Sequence, residues 1–303
     1  MKLLLRVVLP LLGAVLVFFL LPGGQLPLFE AMAEPELRRA APGDPSPGER
    51  LVVLVSIDGL APWVLEQTAV PTLARLAREG TRARAARTVQ PSTTLTSHTS
   101  MLSGVGPEVH GVLWNRYEPW HEIRVPTVYS VCRETGLRCG LFAGKTKFVH
   151  FAENEPGVLI YRYASAQDVV FDTAAAAIQA EALDFALVHL AEVDRAGHAQ
   201  GWGSEAQREQ LAAIDASLGR FVAGLEAAGR PFTLIVTADH GGFELHHTED
   251  RPENWRIPWL AYGDAVRAGG VLAEVSTLDT APTILKLLGR PVPETMEGRP
   301  RLR

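Results

Sequence analysis

The chain has 303 residues, 47% of them hydrophobic, and its 29 Lys and Arg against 34 Asp and Glu give a formal charge of −5. That is apolar material enough for one large α/β domain or two small ones, and it excludes the strongly basic field of a nucleic-acid-binding surface. Two cysteines, Cys132 and Cys139, with no C-x-x-C pair argue against a cysteine-based metal site.

Lys2 and Arg6 precede an apolar run over 7–21, which Pro22-Gly23-Gly24 ends. Residues 1–24 therefore read as a secretory signal peptide or, counted from Leu3, as an N-terminal membrane anchor. Ala31-Met32-Ala33 is a small-residue cleavage-like site some way beyond. Either reading places the domain outside the cytoplasm, periplasmic or secreted, and the anchored form adds membrane association through the N-terminus. Export would permit a Cys132–Cys139 disulfide, which the spacing leaves open. Residues 34–50 (EPELRRAAPGDPSPGER) are rich in Pro, Gly and charge and read as a linker.

From residue 51 short apolar runs alternate with helical stretches, the βαβ signature of a mostly parallel central sheet with helices on both faces. The runs predict strands over 51–57, 139–143, 185–190, 232–237 and 257–262. Helices are expected over 72–79 (closed by Gly80), 95–102 (ended by Gly104), 127–135, 164–181, 205–228 (ended by Gly229) and 277–288 (before Gly289). Residues 51–303 thus read as α/β throughout, and the resemblance described below makes them one catalytic domain.

Ligands of such sheets bind beyond the carboxyl ends of the strands, and the acidic and histidine residues fall there. Asp58 follows the strand over 51–57. Asp194 and His198, spaced D-x-x-x-H, are placed in a loop after 185–190. Asp239 and His240 follow 232–237 in the turn TADHGG, with His247 soon after. Three carboxylates and three imidazoles suit two borderline divalent ions with N/O ligands. Gly241 and Gly242 are expected to supply backbone conformations closed to other residues. Thr94, in PSTTLTSH at the head of a helix, sees that helix's positive end; a bound metal would convert its weakly nucleophilic hydroxyl to an alkoxide. Each piece has a plainer reading, as a turn, a surface loop or an N-cap. Their common position at one sheet mouth favours the chemical one.

The segments VSIDGL, VPTLARLAREG, PSTTLTSHTSMLSGVGPEVHGVLWN, DRAGH, TADHGG and PENWRIPW…DTAPTILKLLG resemble the alkaline phosphatase superfamily, and within it the nucleotide pyrophosphatase/phosphodiesterase (type I phosphodiesterase) family. The resemblance runs from Leu51 to the C-terminus and implies an alkaline phosphatase-like fold, here with a minimal cap. It implies that Asp58, Thr94, Asp239 and His240 hold one metal and Asp194, His198 and His247 the other, usually both zinc. It further implies a phospho-enzyme intermediate on Thr94, Asn115 against a non-bridging phosphoryl oxygen, and a small-molecule or lipid-linked phosphate ester as substrate. Aligning on PENWRIPW favours His247 over His246. His98 and His110 read as structural, and His189 as a strand histidine of the core or rim.

Departures bear on the substrate. Few residues separate His240 from His247, and Leu95, Thr96 and Ser97 replace the aromatic and Pro-Asn that usually follow the nucleophile. A nucleobase-stacking pocket is therefore not expected. Lys145 and Lys147, in FAGKTKF, resemble the lysines of phosphonoacetate hydrolases and some alkaline phosphomonoesterases, which makes a phosphomonoesterase or phosphonoacetate hydrolase the alternative reading. A non-catalytic, membrane-tethered metal-binding protein is a third. Sulfatases need a modifiable Cys or Ser in a C/S-x-P-x-R setting, which is missing here. Cofactor-independent phosphoglycerate mutases use a serine and a large inserted domain.

Overall fold

The structure, a computed structural model, describes residues 46–302. The signal or anchor read over 1–24 and the linker up to residue 45 lie outside the described residues.

Seven consecutive residues with no strongly polar side chain, LVVLVSI, suit a strand covered on both faces. They form β1 (Leu51–Ile57), buried along its whole length. The same holds for β5 (Phe185–Leu190) and β6 (Phe232–Thr237). The remaining strands are β2 (Thr81–Arg87), β3 (Cys139–Ala143), β4 (Val158–Tyr163), β7 (Arg256–Ile257), β8 (Trp259–Gly263) and β9 (Gly270–Ser276). Among the described residues these nine strands form one sheet in the order β4-β3-β5-β1-β6-β8-β2-β7, with β9 paired to β2. From β4 to β6 every pairing is parallel, and β1 sits between β5 and β6 with Leu54 opposite both Leu187 and Ile235. Beyond β6 the pairings of β8 with β6 and β2 are antiparallel, while β2 and β9 run parallel.

Helices flank the sheet in two packed groups. Helix Glu205–Ala228 lies against Pro71–Glu79, Gln167–Glu181 and Glu192–Gln200, while Thr94–Ser103 packs with Pro107–His110, Val128–Glu134 and Thr280–Leu287. Leu187 is fully buried, so truncating it to alanine would cost about 3 kcal/mol.

Several sequence expectations are revised. The strands β2, β4 and β9 were not expected. In β2, TRARAAR, only Thr81 and Ala86 are buried, so arginine on the exposed positions hides the strand signal. The strand expected over 257–262 is split at Pro258 into β7 and β8, since proline cannot donate to a ladder. The helix expected over 164–181 starts at Gln167, and the first turn of the helix expected over 277–288 is a 3-10 turn, Thr277–Asp279. Cys132 and Cys139 are both buried free thiols. Among the described residues no helix is long and apolar enough to cross a membrane.

Candidate active site

Asp58 is the residue after β1, and its N–H donates to Leu190 O at 2.9 Å, prolonging the pairing with β5. Gly59 then turns at φ +74°, where a Cβ would stand 3.0 Å from Asp194 Cα, so glycine is required twice over. Its N–H donates to Asp239 Oδ1 at 3.1 Å, which ties the end of β1 to the end of β6. Asp239 Oδ1 also accepts from the His240 N–H at 3.0 Å.

Gly241 and Gly242 act through space rather than conformation. Neither has positive φ; a Cβ would collide with Glu253 O at 2.1 Å from Gly241 and with the Trp202 ring at 2.0 Å from Gly242. Asp194 and His198 are not in a loop. They sit on helix Glu192–Gln200, where D-x-x-x-H spacing places both on one face, a turn apart. Gly197 lets that helix approach Trp202 and Gln207.

The three histidines share one device. His240 Nδ1–H donates to Gly241 O at 2.8 Å, His247 Nδ1–H to Ser92 O at 2.7 Å, and His198 Nδ1–H to Leu245 O at 2.8 Å. Each Nδ1 is thereby committed as a donor and the ring is oriented with Nε2 towards the cluster. Those atoms converge: His240 Nε2 is 3.3 Å from Asp58 Oδ1, 3.5 Å from Asp239 Oδ2 and 3.8 Å from Asp194 Oδ1. Asp194 Oδ1 is also 3.4 Å from His198 Nε2 and 3.9 Å from His247 Nε2. The His240 and His247 rings stack at 3.7 Å. His246, by contrast, is exposed.

Four of these buried atoms, Asp58 Oδ1, Asp194 Oδ1, Asp239 Oδ2 and His240 Nε2, have no hydrogen-bond partner. Orphaned buried polar atoms are costly, and a cluster composed only of carboxylate oxygen and imidazole nitrogen is the donor set of a borderline divalent cation. Two groups of potential ligand atoms fit such ions: Asp194 with His198 and His247, and Asp58 with Asp194 and His240. Asp194 belongs to both, whereas the resemblance put Asp239 beside Asp58. In a third cluster, His98, His189 and Asp239, both ring nitrogens of each histidine are taken up in hydrogen bonds. His98 spans Thr94 O and Ser56 Oγ at 2.7 and 2.9 Å, and His189 spans Asp58 Oδ2 and the Gly144 N–H at 2.8 and 3.3 Å.

Thr94 opens the helix Thr94–Ser103, itself the first helical residue, and is 1% exposed. Asn115 Oδ1 accepts from the Leu95 N–H at 3.1 Å and from Lys147 Nζ at 3.0 Å. Two donors on that oxygen fix the amide orientation and leave its NH₂ as a donor. Lys145 Nζ lies 2.6 Å from Asp58 Oδ2, 2.7 Å from Asp194 Oδ2 and 3.4 Å from Thr94 Oγ1. The hydroxyl and two carboxylates therefore meet at one ammonium.

Burial works against every charge here, and neighbours decide the outcome. It would raise Asp58, yet Lys145, His189 and His240 hold that carboxyl well below the usual range. Asp194, raised by burial and by Asp58, is brought down to about 2 by His198 and Lys145. Asp239 is pushed up to about 6 by burial and the Asp58 charge. Burial disfavours the His240 imidazolium, but the three aspartates carry it up to about 9, while burial and His240 push His247 down to about 3. Lys145 is raised by the aspartates in spite of burial; Lys147 is lowered by burial and by Lys145.

Sequence reasoning gave no role to Ser92 or Trp202. Ser92 O orients His247. Trp202 packs edge-on to His198 and donates through Nε1 to Gly59 O at 2.8 Å. Neither has a linear signal, since each acts through a residue far along the chain.

Both the sequence and the fold have counterparts among known proteins. The family described as Type I phosphodiesterase / nucleotide pyrophosphatase matches residues 52–134 and 143–257. Murine ectonucleotide pyrophosphatase / phosphodiesterase 5 superposes with a TM-score of 0.70 at 16% identity, over 80% of this chain and 96% of that one. A phosphonate monoester hydrolase from Silicibacter pomeroyi superposes with a TM-score of 0.65 at 16% identity, over 83% of this chain and 76% of that one. At such identities these likenesses concern the fold. Among curated proteins, the 2,3-bisphosphoglycerate-independent phosphoglycerate mutase of Gloeobacter violaceus is 33% identical over 147 residues, 43% of this chain and 26% of the mutase. That of Pseudomonas fluorescens is 36% identical over 140 residues, 43% of this chain and 25% of the mutase. The matched stretch thus spans about a quarter of these relatives' length.

Proposed function

Because the chain belongs to the type I phosphodiesterase / nucleotide pyrophosphatase family, we propose that it is a two-metal phosphohydrolase in which Thr94 attacks phosphorus and forms a phospho-threonine intermediate. The observation that carries this reading is the meeting of Thr94 Oγ1 with Asp58 and Asp194 at one point, beside the orphaned ligand atoms of Asp239 and His240.

Asp194, His198 and His247 would hold one ion; Asp58, Asp239 and His240, with Thr94, would hold the other. We take both to be zinc, from the mixture of imidazole and carboxylate donors. Bound there, the pair supplies Lewis acidity, lowers the hydroxyl pKa of Thr94 and neutralises charge on the transferring group. The chain does the rest. The head of helix Thr94–Ser103 aims its dipole at the phosphoryl group. The Asn115 NH₂ donates to a non-bridging oxygen, where charge develops. In the first half-reaction the bond from phosphorus to the leaving oxygen, an alkoxide or a phosphate, breaks as the Thr94 Oγ–P bond forms, and the hydroxyl proton passes through solvent to the departing group. In the second, water breaks that bond and restores the hydroxyl. His198, whose side chain is 44% exposed, marks the open side through which substrate and water pass.

We take the substrate to be a phosphate diester or pyrophosphate on a small or lipid-linked molecule, handled outside the cytoplasm as the N-terminal sequence indicates. Support comes from the family and from Asn115. One solved relative, an inactive variant of the murine protein, is described in complex with AMP. A second reading, a phosphomonoesterase or phosphonoacetate-type hydrolase, is favoured by Lys145 and Lys147, two ammonium groups on the Thr94 side that would meet a dianion. The kcat/KM for bis-p-nitrophenyl phosphate against that for the monoester, on zinc-loaded protein, separates them. Diester preference supports the first reading, and strong monoester preference replaces it with the second.

A further inference from the structure

Lys145 stands apart from the other basic residues. Its Nζ reaches one oxygen from each of two carboxylates on different elements, Asp58 Oδ2 at 2.6 Å and Asp194 Oδ2 at 2.7 Å. Its side chain is only 15% exposed. Those two carboxylates also supply Oδ1 atoms to the histidine Nε2 cluster, so each is shared between the ammonium and the ligand set. Thr94 Oγ1 lies 3.4 Å from the same Nζ, on the side where substrate would sit. Lys147 is arranged differently, touching Asn115 Oδ1 and no carboxylate.

We propose that Lys145 is a built-in counter-cation that competes with divalent metal for Asp58 and Asp194, and that metal loading releases its ammonium towards the Thr94 hydroxyl and the phosphoryl group. A lone cluster of three buried carboxylates repels itself, and one ammonium bridging two of them relieves this without a metal. A divalent ion brings more charge to the same oxygens. Where both cations share these carboxylates they repel each other across a few ångströms of poorly screened space. The short lysine contacts therefore weaken as the metal binds, and the nearest alternative acceptors lie around Thr94. Lys145 in this role links metal occupancy to the charge presented to substrate; Lys147 faces the substrate throughout.

The inference rests on the two-metal reading, and direct metal titration separates the two. Zinc affinity of the metal-free protein would be measured by chelator competition for the unaltered chain, Lys145→Met and Lys147→Met, with Tm of each metal-free protein. The expected result is zinc bound at least about tenfold more tightly by Lys145→Met, a lower metal-free Tm for that variant, and no change for Lys147→Met. Unchanged zinc affinity in Lys145→Met would overturn the proposal. So would weaker affinity, which would make Lys145 a strut that orients the carboxylates for the metal. Absence of zinc binding by the unaltered chain would overturn the two-metal reading itself. Should Lys145→Met not fold without metal, Lys145→Gln, which keeps a donor and loses the charge, is read by the same criterion.

Discussion

The two sides of the site are built differently. The proposed metal ligands are carried mostly by the ends of the buried strands β1 and β6, which hold Asp58, Asp239 and His240, and by the helix that follows β5, which holds Asp194 and His198; of the proposed histidine ligands only His247 lies in a connecting segment. The substrate side is carried by connecting segments: Asn115 lies between helices Pro107–His110 and Val128–Glu134, and Lys147 lies in the 3-10 turn after β3. Exposed apolar residues gather in the first of these segments, with Leu113 61% and Trp120 87% exposed. A rigid frame suits groups that must present several atoms to one ion. Loops suit groups that select among substrates, because they can change without disturbing the core. The comparison predicts all-or-none losses on the metal side and graded changes in KM or substrate preference on the loop side.

The largest effect is expected at the junction of the two sides. Thr94→Ala should keep the fold and most of the metal yet lose turnover by about 10³-fold or more; wild-type kcat would remove Thr94 from its role. Next comes the metal itself. Stripping the protein with a chelator should abolish turnover and lower Tm, with zinc restoring both and contributing about 4 kcal/mol at a thousandfold excess over Kd. Survival of full activity in chelator would break the comparison at its metal side.

Two smaller tests sharpen the loop side. Asn115→Ala, which removes one donor to the phosphoryl group, should lower kcat by about 10²-fold with little change in Tm. An unaltered kcat would leave Asn115 with only its hydrogen bonds to Leu95 and Lys147. Lys147→Met should raise KM several-fold, more for a monoester than for a diester, because the dianion loses more from a missing charge. Equal effects on both substrates would take Lys147 out of charge recognition.

The last effect is one of pH on stability rather than on activity. Burial pushes the Glu155 carboxyl from 4.5 up to about 7, against a hydrogen bond with Thr127 and the charge of Arg133. A carboxyl raised in the folded state binds its proton more tightly there than when unfolded. Its contribution is therefore fully present below about 4.5 and is lost as pH rises through about 7. That loss, on the order of 3 kcal/mol, should make stability fall across that window. Denaturant unfolding at a series of pH values would show the decline, and Glu155→Gln should flatten it. A variant with the same slope as the unaltered chain would assign the titration elsewhere.

Legibility in the sequence followed the same division. The buried strands were readable because a strand covered on both faces must be continuously apolar. The residues just beyond these runs were readable as candidate site residues because parallel strands all end on one side of the sheet. Thus Asp58, Asp239 and His240 could be placed from the sequence, and so could the family, from its motifs. Strand β2 was not readable, because its arginines point to solvent and only Thr81 and Ala86 are covered. Asp194 and His198 were expected in a loop, since nothing in EVDRAGHAQ marks a helix as strongly as the packing of Gly197 on Trp202 and Gln207.

By itself the sequence determined which residue types stand at the sheet mouth, because hydrophobic periodicity and motif spacing are local properties of the chain. Only the tertiary structure decided the pairings: Asp194 shared between two ligand groups, His189 spent on Asp58, Ser92 O orienting His247, and Lys145 lodged between two aspartates. Apart from Asp194 with His198, those contacts join residues tens to more than a hundred positions apart. Their partners are set by how the helices and strands pack, and no linear pattern records that.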